Sequence, residues 1–198
     1  MKTPKYTAGD ETSLMSRLWS KEIRDNPYAF VLLAYPWGQP GTPLAGFSGP
    51  RRWQRELLQQ LAGHISQNDG KIDYDMFRKV VSSGRGIGKS ALVSWLVTTV
   101  VEQDLNRDTR LWAAHAQLWS AENPDAYAGT HNYDGVMVIF DEASGIPDAI
   151  WSVTDGFFTE NTPDRFWFAF SNPRRNTGYF YEAFHARRAF WKTTIVDA

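Results

Sequence analysis

The residues best suited to chemistry lie in a glycine-rich stretch, Ser83-Gly-Arg-Gly-Ile-Gly-Lys-Ser90, between two apolar runs. The stretch approaches the phosphate-binding pattern G-x-x-x-x-G-K-[ST], with Ser83 in place of the first glycine. Such a loop turns backbone N–H groups toward a phosphate and places the start of a helix beside it. In this pattern Lys89 contacts the β- and γ-phosphates, and the Ser90 hydroxyl binds Mg²⁺. The alternative is a strand-to-helix turn that binds no ligand.

An arginine inside the loop, Arg85, departs from a simple phosphate-binding sequence. It lies four positions before Lys89 and can bring a second cation to the γ-phosphate, where charge must be stabilised in the transition state. The glycines allow the backbone to approach a phosphate closely. The predicted ATP-binding loop consists of Ser83, Gly84, Arg85, Gly86, Ile87, Gly88, Lys89 and Ser90.

An acidic pair, Asp141-Glu142, directly follows the most apolar short run of the chain, VMVIF at 136–140. Ligands of parallel α/β sheets bind at the carboxyl ends of the strands, so both carboxylates are expected at a ligand site. There Asp141 can hold Mg²⁺ and Glu142 can orient and deprotonate an attacking water. The alternative is an acidic first turn of a helix, which is common.

Two further polar positions are candidates. Gln54, at the start of a predicted helix, can form two hydrogen bonds to the edge of an adenine; the alternative is a glutamine that faces solvent. Ser171 and Asn172 follow the apolar run 165–170 and are expected at the same sheet edge as Asp141, where they can sense the γ-phosphate. The alternative for these two residues is an ordinary Asn-Pro turn.

The elements that must position these residues alternate along the chain. Apolar runs predict strands at 77–82, 136–140, 165–170 and 191–198. Helical spacing predicts helices from residue 12, over 51–65, over 88–101 and over 178–190, and a further helix that starts near Ser144 or Pro147. The alternation predicts an α/β fold with a mainly parallel sheet flanked by helices. We expect residues 1–50 to form an N-terminal helical extension and residues 51–198 to form the catalytic domain.

The composition excludes some kinds of site. The 198 residues include 21 Lys and Arg against 22 Asp and Glu, a formal net charge of −1, so nucleic acid must be contacted through local patches. The arginine pairs 51–52, 174–175 and 187–188 are candidates, with a solvated surface as the alternative. Cysteine is absent, which excludes disulfides and thiolate metal sites, and the four histidines lack metal-ligand spacing. We find no apolar leader and no run of transmembrane length.

The arginine-bearing loop, the strand ending in Asp-Glu-Ala-Ser and the stretch Ser-Asn-Pro-x-x-Asn-x-Gly at 171–178 form a specific set. Together they resemble the ATPase domain of the large terminase subunit of tailed bacteriophages, the motor that packages DNA into proheads. The resemblance runs from about residue 51 to 198. It implies a P-loop NTPase fold of the ASCE type, and it implies double-stranded DNA, bound without sequence preference, as a partner. It further implies a homo-oligomeric ring, a portal, a small terminase subunit, and work in the cytoplasm of the bacterial host rather than in the mature virion.

The resemblance also implies roles for single residues, with ATP and Mg²⁺ as cofactors. Glu142 is the catalytic base, and Arg85 and Lys89 stabilise the charge of the transferred phosphoryl group. Ser90 and Asp141 bind the metal. The adenine-contacting glutamine of the family is matched by Gln54, and its coupling motif, which links hydrolysis to DNA movement, is matched by Ser171, Asn172 and Pro173.

Two departures from the family pattern leave other functions open. The interval from Lys89 to Asp141 is only 52 positions, so a strand–helix pair is expected to be absent or compressed, between about 102 and 120. The nuclease domain of the family is not matched, so no nuclease activity is expected from this chain. The alternatives are an ATP-binding or assembly module without turnover, and another P-loop DNA translocase or helicase.

Overall fold

The computed structural model describes residues 7–18, 20–101, 114–127 and 135–197. The helices are α1 (Ala8–Leu18), α2 (Lys21–Arg24), α3 (Pro27–Ala34), α4 (Arg52–Asn68), α5 (Lys89–Val101), α6 (Asp148–Asp155) and α7 (Tyr179–Glu182). The strands are β1 (Phe77–Ser83), β2 (Val136–Asp141), β3 (Arg165–Ser171) and β4 (Lys192–Val196). Short 3₁₀ helices cover Pro124–Tyr127, Ala143–Gly145, Gly156–Phe158 and Arg188–Phe190.

The chain divides into two compact units. The first combines residues 1–66 with 94–112, and the second combines 67–93 with 113–198. All four strands lie in the second unit, together with every candidate site residue except Gln54, which lies in the first. The predicted boundary at residue 50 remains a prediction.

In the first unit, helix α1 begins earlier than its apolar spacing indicates. The Thr7 hydroxyl accepts the N–H of Asp10 at 3.2 Å, and the Asp10 carboxylate accepts the N–H of Thr7 at 2.8 Å. This reciprocal cap satisfies N–H groups at the helix start. The helix therefore begins at Ala8 rather than near Thr12.

The sheet of the second unit is parallel throughout, with the strand order β2-β3-β1-β4. Because β3 lies between β1 and β2, it pairs with both: Ser82 of β1 is in register with Ser171 of β3, and Asp141 of β2 with Phe170. The predicted α/β fold with a parallel sheet flanked by helices is confirmed. All four predicted strands are confirmed within three residues at each end.

Large aromatic side chains form the core against this sheet. We define the aromatic cluster as Phe140, Trp151, Phe158, Trp167, Tyr179 and Trp191. The indole of Trp151 stacks on Tyr179 with ring centroids 4.6 Å apart, and Trp167 stacks on Phe158 at 5.5 Å. Both indoles are fully buried. Stacked and edge-to-face rings fix one another's orientation, so the strands that carry them have a rigid support.

Three of the predicted helices are confirmed in the structure. They are α4, α5 and α6, the last beginning directly after Pro147. The prediction of one helix over 178–190 is wrong: α7 ends at Glu182, and only a short 3₁₀ helix follows. Residues 185–190 are all exposed, so this stretch has no apolar face to pack, and packing supplies most helix stability in proteins.

The interval between α5 and β2 is described over 114–127, where the one regular element is the 3₁₀ helix at Pro124–Tyr127. The sequence of 110–118 is compatible with a strand or a helix, and this segment lies partly outside the described residues. The predicted shortening between 102 and 120 lies largely outside them as well. Among the described helices, none combines the length and the apolar character that a membrane span requires.

Candidate functional site

Three strands of the second unit end at one edge of the sheet. Strand β1 ends at Ser83, β2 at Asp141 and β3 at Ser171. We call the residues at and just beyond these three ends the carboxyl edge. Because parallel strands direct their carboxyl ends the same way, the glycine-rich loop, the acidic pair and the Ser-Asn-Pro stretch all leave the sheet here.

The Lys89 amine, at the start of α5, is the best-connected group of the carboxyl edge. It donates to the Asn172 side-chain oxygen at 2.7 Å, to the Gly84 carbonyl at 3.1 Å and to the Ser83 hydroxyl at 3.3 Å. A lysine ammonium has three protons, so these contacts use its whole donor capacity. The structure therefore brings Lys89, Ser83 and Asn172 together.

The backbone of the glycine-rich loop explains why glycines occupy it. Gly86 and Gly88 have φ angles of 71° and 90°, which L side chains adopt only with strain. Ile87 between them is 5% exposed and anchors the loop, whereas Arg85 and Ser90 are exposed. The loop leads into the N-terminus of the 13-residue helix α5, whose dipole favours an anion there.

The acidic pair follows β2 in an unusual backbone conformation. Glu142 has a φ of 52°, in the left-handed region, and is the one non-glycine residue with a positive φ in the described part of the chain. Its N–H donates to the Asp141 carboxylate at 2.9 Å. Its own carboxylate pairs with the Arg174 guanidinium at 3.2 Å, and the two side chains are 54% and 55% exposed. Such left-handed residues cost about 1–3 kcal/mol and cluster at functional sites.

Buried serines hold the third segment of the carboxyl edge. The Ser144 hydroxyl donates to the Asn172 carbonyl at 3.0 Å and lies 2.8 Å from the Ser171 hydroxyl. Since Ser144 has one proton, and a carbonyl can only accept, Ser171 is the donor in the bond between the two hydroxyls. The start of the Ser-Asn-Pro stretch is thereby tied to the segment that follows the acidic pair, whereas Pro173 is exposed.

Gln54 lies in the first unit, in the first turn of α4. Its side chain is 3% exposed, so the alternative of a solvent-facing glutamine is wrong. Its side-chain oxygen accepts the N–H of Arg51 at 2.9 Å, which satisfies a donor at the start of the helix. The adenine contact remains a prediction.

The oxygen donors proposed for a metal are few. Asp141 supplies a carboxylate and Ser90 a hydroxyl, and the described residues contain no group of three or more His, Cys, Asp and Glu side chains placed to hold an ion. Mg²⁺ is held in this manner, by one or two protein oxygens together with substrate phosphates and water. The donor set fits Mg²⁺ on a bound triphosphate and does not fit a protein-only metal cage.

A cleft of about 360 Å³ opens beside the acidic pair, within the second unit. Its lining residues fall within 144–148 and 175–180, and none of them belongs to the glycine-rich loop. The Asp148 carboxylate accepts the N–H of Tyr179 at 2.7 Å at its base. Burial, and then the hydrogen bond to the negatively charged Asp155, raise the pKa of Tyr179, so this phenol stays protonated at neutral pH.

Two of these residues were not predicted from the sequence as parts of the site. Arg174 was considered as one of an arginine pair that could contact a phosphate backbone or a neighbouring subunit's ATP, and Ser144 as a possible helix start. The position of Arg174, three residues beyond the end of β3, is the one local signal that points to the site. Ser144 ends the Asp-Glu-Ala-Ser stretch, but its contacts carry no local signal, because its partners lie 27 and 28 positions away in the sequence.

The comparisons with known proteins give one partial match. The chain is 41% identical over 75 residues to a protein of Enterobacteria phage P7 described as a probable terminase, large subunit. The match covers 38% of this chain and 15% of that protein. No protein-family profile and no solved structure matches the chain. The chain is thus similar, over about a third of its length, to one probable phage terminase subunit.

Proposed function

We propose that the chain is the ATP-hydrolysing motor domain of a phage terminase large subunit, with a P-loop NTPase fold of the ASCE type. One observation carries the proposal. At the carboxyl edge, one short stretch of chain contacts two groups that ATP hydrolysis needs. Asn172 accepts a hydrogen bond from Lys89, which is suited to bind phosphate, and Arg174 forms an ion pair with Glu142, which is suited to activate water. The partial match to a probable terminase supports the choice of motor.

ATP binding uses the glycine-rich loop and Lys89. Backbone N–H groups of residues 83–90 and the start of α5 hold the phosphates. A phosphate oxygen takes the place of one of the three oxygens around the Lys89 amine, because that amine has no fourth proton to donate. Arg85, exposed on the loop, turns to the γ-phosphate.

Hydrolysis uses Glu142 as the general base. Its carboxylate accepts a proton from the water that attacks the γ-phosphorus, the bond from that phosphorus to the β-γ bridging oxygen breaks, and ADP and inorganic phosphate leave. Lys89 and Arg85 stabilise the negative charge that develops on the phosphoryl oxygens. Ser90 and Asp141 hold Mg²⁺, which neutralises phosphate charge when bound.

Coupling and partners follow from the same proposal. Ser171, Asn172 and Pro173 respond to the γ-phosphate and transmit the response toward double-stranded DNA. The DNA is gripped through its phosphates, without sequence preference and with strong salt dependence. The motor works as a homo-oligomeric ring on the portal, with a small terminase subunit, in the host cytoplasm.

A second candidate is an ATP-binding module without turnover. It is favoured by the short interval of 52 positions between Lys89 and Asp141, which leaves little chain for a further strand and helix. In this case Lys89 binds the nucleotide, and Glu142 has no catalytic task.

Binding of mant-ATP and release of phosphate distinguish the two candidates. A motor releases phosphate, Glu142→Gln lowers turnover by about 100-fold or more while binding persists, and Lys89→Ala weakens both. The matched controls are Glu160→Gln and Lys71→Ala, which alter exposed side chains of the same unit away from the carboxyl edge. Binding without turnover in the wild type establishes the module, and absence of mant-ATP binding overturns both candidates.

A further inference from the structure

The segment that follows β3 leaves the sheet between two other parts of the candidate site. Because β3 lies between β1 and β2, the residues after Ser171 emerge between the glycine-rich loop and the acidic pair. We call residues Asn172, Pro173 and Arg174 the bridging segment. Through Asn172 and Arg174, this short segment contacts both the start of α5 after the glycine-rich loop and the acidic pair.

The start of the bridging segment is firmly held. The Asn172 carbonyl accepts the Ser144 hydroxyl at 3.0 Å, and its side-chain oxygen accepts the Lys89 amine at 2.7 Å. The next residue is Pro173, whose ring fixes its own φ. Arg174 therefore starts from an anchored backbone, and its ion pair with Glu142 at 3.2 Å restrains the four torsions of its side chain.

The Glu142 side chain, by contrast, has few restraints of its own. Its N–H is bonded to Asp141, which fixes the backbone, but its carboxylate is half exposed. A glutamate has three side-chain torsions, and an unrestrained carboxylate samples many positions. Its ion pair with the Arg174 guanidinium, at 3.2 Å, is the contact that selects one of them in the described structure.

The exposure of the Glu142–Arg174 pair indicates that its role is not to stabilise the fold. Ion pairs between half-exposed side chains contribute little to folding, because water screens the charges and holding two long side chains costs entropy. The same pair can still decide where a carboxylate points, and general bases need placement within hydrogen-bond reach of the water they deprotonate.

We propose that Arg174 is a positioning residue for Glu142: through the ion pair it aims the carboxylate at the γ-phosphate end of a triphosphate bound by Lys89. This assignment rests on the proposed ATPase function and adds a residue to it. The bridging segment then fixes the phosphate-binding amine and the water-activating carboxylate relative to each other. Arg174 touches neither substrate nor water and acts through Glu142 alone.

The test compares Arg174→Ala with Arg174→Lys and with Arg175→Ala, the neighbouring exposed arginine, in ATP hydrolysis without DNA. We expect Arg174→Ala to lower kcat about tenfold or more while KM and mant-ATP affinity stay within about twofold, since displacing a catalytic group costs turnover rather than binding. Arg174→Lys, which keeps the charge, is expected to restore most of the loss. Arg175→Ala is expected to match the wild type.

The Glu142→Gln background makes the test specific. If Arg174 acts through Glu142, adding Arg174→Ala to Glu142→Gln lowers kcat no further, because the group that it positions is already lost. An unchanged kcat in Arg174→Ala, an equal loss in Arg175→Ala, or a further loss in the Glu142→Gln background overturns the assignment. A wild type that binds ATP without hydrolysing it overturns the proposed ATPase function, and the positioning role with it.

Discussion

The aromatic cluster and the carboxyl edge share strands β2 and β3, and they differ in burial, charge and hydrogen bonding. The cluster is buried and uncharged, and the buried indole nitrogens of Trp151, Trp167 and Trp191 have no hydrogen-bond partner among the described residues. The carboxyl edge is polar and partly exposed, and side-chain hydrogen bonds and one exposed ion pair hold it. Ring packing fixes the scaffold, and polar contacts at the strand ends fix the site.

The difference between the two regions teaches where stability and function reside. Because the cluster supplies the large buried apolar area, substitutions within it should cost folding free energy. The carboxyl edge buries little apolar area compared with the cluster, so substitutions there should change activity more than stability. A substitution in the cluster that changes activity alone, or one at the carboxyl edge that changes stability alone, would contradict this division.

The largest effect is expected from Trp167→Ala in the aromatic cluster. Removing a fully buried indole leaves a cavity among packed rings, and the free energy of unfolding should fall by about 3–5 kcal/mol. Urea unfolding followed by far-UV circular dichroism measures the change. The control is Trp119→Ala, the same substitution at a side chain that is 41% exposed, with an expected change within about 0.5 kcal/mol. Equal losses in the two variants would show that the cluster is not the stabilising core.

Asn172→Ala is the counterpart at the carboxyl edge. The Lys89 amine loses its shortest contact, a charge-assisted bond of about 1.5 kcal/mol, so ATP turnover should fall about tenfold. The free energy of unfolding should fall by no more than about 1.5 kcal/mol, the contribution of this one bond, well below the loss expected for Trp167→Ala. Asn123→Ala, at an exposed position of the same unit outside the carboxyl edge, should leave both quantities unaltered. A large loss of stability in Asn172→Ala with normal turnover would reverse the division between the two regions.

The smallest effect concerns pH and the Tyr179 phenol of the cluster. Burial, aided by Asp155, holds its pKa above the usual value of 10.0, and burial also raises the pKa of Tyr127. As pH rises, the unfolded chain therefore loses the phenol protons of these tyrosines before the folded chain does. The free energy of unfolding that they contribute is fully present below about pH 10 and falls as pH rises through the higher folded-state pKa.

Tyr179→Phe tests the contribution of this one phenol. At pH 8 the variant should be less stable to unfolding than the wild type by about 1 kcal/mol, because phenylalanine cannot form the hydrogen bond to Asp155. Between pH 9 and 11 its free energy of unfolding should fall less steeply with pH than that of the wild type. Urea midpoints across this pH range measure both differences. Parallel pH profiles for variant and wild type would mean that Tyr179 does not titrate with unfolding.

The sequence predicts the scaffold well where the signal is local. Runs such as 136–140 and 165–170 are long and apolar enough to specify buried strands, and both appear in the structure. The helix expected over 178–190 is wrong beyond Glu182, because helical spacing alone says nothing about whether a face finds a partner. The burial of Gln54 could have been predicted from the sequence. Gln54 lies on the same face of α4 as Leu58 and Leu61, and a face that carries these leucines is expected to be buried.

Local sequence patterns identify only part of the candidate site. The glycine-rich loop and the acidic pair are contiguous in sequence, so residue type and spacing identify them. The contact between Glu142 and Arg174 depends on β3 lying between β1 and β2, and strand order is a property of the whole sheet rather than of any segment. The left-handed backbone of Glu142 is equally hidden, since glutamate has no preference for it.

A crystal structure of the Glu142→Gln variant with ATP and Mg²⁺ tests the central claim most directly. We predict a triphosphate in the loop 83–90, with the Lys89 amine about 3 Å from a β- or γ-phosphate oxygen in place of one of its present partners. Residue 142 should face the γ-phosphorus on the side opposite the β-γ bridging oxygen. A nucleotide bound away from this loop, or a residue 142 turned away from the γ-phosphate, would contradict the proposal that Lys89 and Glu142 act on one triphosphate.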